Sequence, residues 1–188
     1  MIAVGGIWTV AERTGLQPLG FDSTIALLTS VHFHYAGFLL LLTAGWAARE
    51  LGSSAVGKLT CVCVMLGVPL TALGILAGHW KWNPALEAAA ATFMAAAGWM
   101  VAWLHLRLAA RGDAVKSVRV LWTIASASLF FGMALAVLYA LRAFVQVPKL
   151  DIPYMRAIHG TLNAFGFALC GVAGWRLQRS GQVRGEAE

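Results

Sequence analysis

Five apolar runs, each long enough to cross a bilayer, constrain this chain more than any other feature. The hydrocarbon core of a bilayer is about 30 Å thick and a helix rises 1.5 Å per residue, so one span takes about 20 apolar residues. Runs of that order lie at residues 25–48, 56–78, 85–108, 118–141 and 154–175. A membrane barrel would show short alternating segments instead. Backbone groups in lipid need partners within their own segment, so the runs predict helices. Charged residues make up only 12% of the chain, against about 25% in a soluble domain. The expected fold is an all-α, polytopic membrane helix bundle with about five transmembrane helices.

The remaining segments fall around that bundle. Residues 1–24 read as an extracytoplasmic segment or the remnant of a preceding helix, residues 25–176 as the bundle, and residues 177–188 as a polar cytoplasmic tail. The opening MIAVGGIWTVAER lacks the basic start and cleavage site of a signal peptide. Asp22 is placed to cap the first span and Pro84 suits the first turn of the third. Pro69 falls inside the second and leaves a carbonyl without its helical partner. Small residues recur at Gly74 and Gly78, and again at Gly166, Cys170 and Gly174, the spacing at which membrane helices approach closely.

The formal charge of +6 reflects topology rather than nucleic-acid binding, because the basic residues sit between and beside the apolar runs. The face at the start of the first span is designated side A. Side B then carries Arg49, Lys58, Arg107, Arg111, Lys116, Arg119, Arg176, Arg179 and Arg184. Side A after the first span carries Lys81, Arg142, Lys149 and Arg156, beside Glu87 and Asp151. The positive-inside rule assigns side B to the cytoplasm, so the amino terminus is expected outside and the carboxyl terminus inside a bacterial plasma membrane. Trp80 and Trp82 mark one interface, Trp122 and Trp175 the other. Cys61, Cys63 and Cys170 do not form a disulfide framework.

The candidate site is a set of histidines. His32 and His34 lie in the first span, His79 at the end of the second and His159 early in the fifth, all toward side A. His105 lies toward side B, at the interface, and does not join them. Ionisable groups within spans are costly and rare, which marks them as functional candidates. An imidazole can bind a transition metal or haem iron while its other nitrogen bonds to a second group. Asn163 shares a helix face with His159, Ser30 with His34, and Thr29 with His32. His32 and His34 stand about 200° apart around an ideal helix, so one of them faces the centre and the other turns away. Tyr35 adjoins the pair but points off its faces, toward core or interface packing, while Tyr139 and Arg142 are placed to close the site. Glu87 serves the dipole of its helix or faces His79.

Three functions follow as expectations. The first is haem held between His34 or His32 and His159, with Asn163 beside it, or a transition metal held by His32, His34, His159 and His79, for redox or lipid-directed chemistry. The second is a small-solute or proton-coupled transporter with the histidines as relays. The third is an accessory subunit whose histidines only join helices by hydrogen bonds. The expected partners are the bilayer, an apolar small molecule or a redox partner, and a second copy of the chain. The residues name neither a reaction nor a substrate.

The strings PLGF, LLTSVHFHYAGF and IHGTLNAFGF, in that order, resemble the YndJ-like family of bacterial membrane proteins from Pro18 to about Gly174. The resemblance carries over His32, His34, Tyr35 and Gly37 from the first histidine motif, and His159, Gly160, Asn163 and Gly166 from the second. It implies a bacterial plasma membrane protein. Family members are longer at the amino end, which is consistent with the opening segment as the remnant of a preceding helix.

Overall fold

The computed structural model describes residues 1–146 and 150–185, with side chains described through residue 181. Lys149 and the Arg184 side chain, used above for topology, and the last three residues of the polar tail lie outside the described residues. A short helix, α1 (Ile2–Arg13), precedes five helices long and apolar enough to span a membrane. These are α2 (Ser23–Glu50), α3 (Ala55–His79), α4 (Pro84–Arg111), α5 (Lys116–Ala143) and α6 (Ile152–Gly181). The protein is an all-α polytopic membrane bundle.

Local chemistry sets the helix starts. The Asp22 carboxylate accepts from the Ile25 amide at 2.9 Å and caps α2. Asn83 caps α4 through the Ala85 amide at 2.9 Å, with Pro84 in the first turn, and Asp151 caps α6 through the Tyr154 amide at 2.9 Å. Gly112, with φ of 83°, ends α4 in the left-handed region that glycine adopts without a Cβ clash.

Adjacent helices pack closely, α4 against both α3 and α5, and α6 against α5. Gly74 allows the α3–α4 approach, since a Cβ there would stand 2.7 Å from the Ala90 Cβ. Gly174 does the same for α6, where a Cβ would meet the Trp122 Nε1 at 2.8 Å. Large apolar side chains such as Leu66, Leu73, Phe131 and Phe165 remain exposed, as lipid-facing surfaces require.

Two helices leave regular α geometry. Tyr35–Leu40 in α2 and Leu162–Leu169 in α6 are π-helical. Each overlaps a histidine motif, starting just after His34 and three residues after His159, and the two segments touch. Such bulges recur at functional sites because they re-aim side chains within an otherwise continuous helix. α1 lies along α2, with Thr9 and Ser30 joined through their hydroxyls at 2.6 Å and Met1 packed over Gly37.

Candidate functional site

A cavity of about 470 Å³ opens among the side A halves of all five spans. Its lining includes Thr29, His32 and Tyr35 from α2, His79 from α3, and Glu87 from α4. Tyr139 and Arg142 from α5, and Arg156, His159 and Asn163 from α6, complete the polar part. Ile25, Leu28, Leu40, Met94, Leu129, Met133 and Phe167 supply apolar walls and a floor. The arrangement is amphipathic, with charged groups at the helix ends, single polar groups deeper, and hydrocarbon beneath.

The charged rim is partly neutralised. The Arg142 guanidinium donates to both Glu87 carboxylate oxygens, at 2.8 and 3.2 Å, and to the Tyr139 carbonyl at 2.9 Å. It also lies 4.1 Å from the centroid of the Tyr139 ring. This two-toothed ion pair ties the start of α4 to the end of α5. Arg156, the other cation on the cavity wall, makes no ion pair or side-chain hydrogen bond among the described residues.

The histidines have separate roles. His159 Nδ1–H donates to the Gly132 carbonyl of α5 at 2.8 Å. Its Nε2 is then an acceptor, met by the Asn163 amide at 3.2 Å, and the same amide donates to the His159 carbonyl at 2.8 Å. Both ring nitrogens are therefore engaged, Nδ1 in joining α6 to α5 and Nε2 within α6. His79 is exposed at the rim and stands edge-on to Phe21, with ring centroids 4.7 Å apart. His32 differs: its Nε2 is shielded from solvent and has no hydrogen-bond partner. A buried, unmatched polar group costs on the order of 1–3 kcal/mol.

His34 does not line the cavity. It points from the opposite side of α2 onto α1, where a Cβ on Gly5 would lie 2.6 Å from its ring, and its Nδ1–H donates to the Ser30 carbonyl at 2.8 Å. Ser30 likewise faces α1, donating to the Gly5 carbonyl at 3.1 Å. The 200° separation of His32 and His34 thus resolves with His32 inward. Thr29 lines the cavity while its hydroxyl donates to the Ile25 carbonyl at 2.7 Å.

These placements correct the expectation of a metal or haem centre on a histidine cluster. Among the described residues no group of three or more His, Cys, Asp or Glu side chains is gathered to hold a metal ion. The physical reason is visible residue by residue. His34 faces another helix, both nitrogens of His159 are engaged within the bundle, and His79 sits at the rim. The pair named for haem, His34 or His32 with His159, is consequently not a facing axial pair, and the redox and metal-dependent readings built on it are set aside.

His105 also departs from expectation. It is not interfacial but fully buried toward side B. Its Nδ1–H donates to the Val101 carbonyl at 3.0 Å, and Trp175 Nε1–H donates to its Nε2 at 3.1 Å. The Arg156 contribution to the cavity was missed among the site candidates. Its signal was present, since Arg156 and His159 are three residues apart on one helix face.

Fold and cavity together define a multi-pass helical membrane protein with an amphipathic pocket in one half of its bundle. Residues 1–167 match the YndJ-like protein family, and the chain belongs to that family. It is 34% identical over 178 residues to the "Uncharacterized membrane protein YndJ" of Bacillus subtilis (strain 168). That alignment covers 94% of this chain and 31% of the relative, so the chain spans about a third of the relative's length. No solved structure matches it.

Proposed function

We propose that the protein binds an amphipathic small molecule in the side A cavity, polar end toward the rim and apolar end toward the floor. The observation that carries this reading is a cavity of about 470 Å³ that is amphipathic, with Glu87, Arg142 and Arg156 toward the helix ends and hydrocarbon at its floor. Sites for small ligands commonly enclose about 300–1,000 Å³, with a few placed polar groups in apolar walls. The charge asymmetry supports a mouth on the extracytoplasmic face. Arg49, Lys58, Arg107, Arg111, Lys116, Arg119, Arg176 and Arg179 all lie toward side B.

Gly160 provides a clean test. It lines the cavity, and a Cβ added there would meet nothing within 4 Å. The Cβ of Gly160→Leu is therefore unobstructed, and the rest of the side chain adds bulk at the cavity wall. Protein purified in mild detergent should yield an amphiphile on solvent extraction and mass spectrometry, and the G160L variant should yield several-fold less at unchanged thermal stability. Equal recovery from both proteins, or none from the wild type, would refute the site. Reactivity of single cysteines at the helix ends toward an impermeant maleimide checks the orientation. Labelling in intact cells is expected at the cavity mouth and not at side B.

A further inference from the structure

The side A halves of α2 and α6 stand apart. The half of α2 over Ser23–His34 packs its backbone on α1, and the half of α6 over Ile152–Thr161 packs on α5. Among the described residues these two halves do not pack closely on each other. No residue of Ile152–Thr161 is buried. The helices converge deeper, where the π-helical segments Tyr35–Leu40 and Leu162–Leu169 touch. They meet again at side B through Trp46 and Trp175, with ring centroids 5.8 Å apart. Leu40 and Phe167, on the cavity floor, belong to the π-helical segments, so the gap between α2 and α6 ends at that floor. Toward α3 the rim is closed, because Phe21 stands edge-on to His79.

The lips of the gap are apolar. Gly37 faces Val68 of α3 and lies about 120° around α2 from Val31, which puts Val31 on the side away from α3. Val31 both lines the cavity and is 43% exposed, so cavity wall and outer surface are continuous there. Leu28 and Tyr35, one turn to either side, also line the cavity. On α6 the lining includes Gly160 and Ala164, and a Cβ on Gly160 would meet open space. Val31 lies about 12 Å along α2 from its start, a depth at which the outside of the bundle is hydrocarbon. Small and apolar side chains at that depth suit an acyl chain better than water.

We infer that the cavity opens sideways into the side A leaflet between α2 and α6, and that its ligand is a lipid-like amphiphile entering from the bilayer. Its polar end reaches Glu87, Arg142 and Arg156 at the helix ends, while its acyl chain crosses the gap and stays partly in the membrane. The cavity volume then bounds the part of the molecule held inside, not its whole length. This inference rests on the amphiphile-binding reading and adds the source of the ligand and its route.

The route is tested on the wild-type chain in vesicles of phosphatidylethanolamine and phosphatidylglycerol, doped with a phosphatidylglycerol that carries a diazirine in its acyl chain. After photolysis, adducts are mapped by peptide mass spectrometry. Phe131 and Phe165 are exposed on the outer surface and report contact with bulk lipid. Met94 and Leu129 are buried except toward the cavity they line, and report entry. Adducts are expected at all four. Val31→Trp, which adds bulk at the lip, should lower the Met94 and Leu129 adducts several-fold and leave those at Phe131 and Phe165 unchanged. Val31→Ala should lower none. Adducts at Phe131 and Phe165 with none at Met94 or Leu129 overturn lateral entry. Cavity adducts undiminished in V31W overturn its place between α2 and α6. If solvent extraction of the wild type yields an amphiphile while Met94 and Leu129 stay unlabelled, the binding reading stands and this route fails. An empty extract with labelled cavity residues supports the opening and refutes a retained ligand.

Discussion

His32 and His105 are both shielded imidazoles on membrane helices, yet they sit in opposite halves of the bundle and in opposite circumstances. His105 is satisfied at both nitrogens, by Val101 and Trp175, and lies within a side B core that includes Trp122, Leu104, Leu108 and Val118. His32 faces a cavity with one nitrogen unmatched. A polar group that finds its partners inside the fold stabilises the fold. One left without a partner lowers stability unless something binds it. Side B also holds an unmatched group, the Trp122 indole N–H, so what separates the halves is packing: side B closes around its histidine, and side A leaves a cavity beside His32.

The largest effect expected from this contrast is on stability at side B. His105→Ala should cost about 2–4 kcal/mol, since it removes packing and leaves the Trp175 indole N–H without an acceptor. His32→Phe in the empty protein should be neutral to within about 0.5 kcal/mol or slightly stabilising, because it removes an unmatched polar group. Denaturation by SDS titration compares the two, and equal losses would erase the distinction between the halves. Gly174→Leu comes next, at about 1–3 kcal/mol, because the new side chain must displace Trp122. The same assay on G160L, which meets open space at side A, should show no comparable loss.

Smaller changes sharpen the account of side A. Asn163→Ala should cost about 1 kcal/mol, because it leaves His159 Nε2 without its donor while the bond to Gly132 persists. A loss no greater than that of Ala164→Gly, measured beside it, would show that the amide contributes little. Glu87→Gln should cost least, up to about 0.5 kcal/mol, since the Arg142 side chain is 39% exposed and solvent screens the pair. Raising salt should reduce even that difference, and a salt-independent loss would point to packing instead.

Much of this architecture was legible along the chain. The span lengths follow from hydrophobicity alone, and Asp22, Asn83 and Asp151 stand where a short polar side chain can reach a free amide of the first turn. The inward turn of His32 was not legible. Spacing showed that His32 and His34 diverge, but either side of an apolar helix can face lipid, a neighbour or a cavity. α1 settles the matter, because Gly5 leaves room for the His34 ring. The expected metal centre failed for a related reason. Counting histidines at one depth says nothing about which nitrogens the bundle already uses, and Gly132 and Asn163 use those of His159.

The sequence by itself determined that this chain spans a membrane about five times as helices, because lipid leaves the backbone no other way to satisfy its hydrogen bonds along runs of that length. It also placed His32, His79, His159, Glu87 and Arg142 in one membrane half, since depth in a span follows from residue number. Only the tertiary structure decided which of these meet. Rotation about a helix axis and the π-helical segments Tyr35–Leu40 and Leu162–Leu169 depend on contacts between helices distant in sequence. The same contacts bury His105 on Trp175, 70 residues away, and leave His32 facing a cavity.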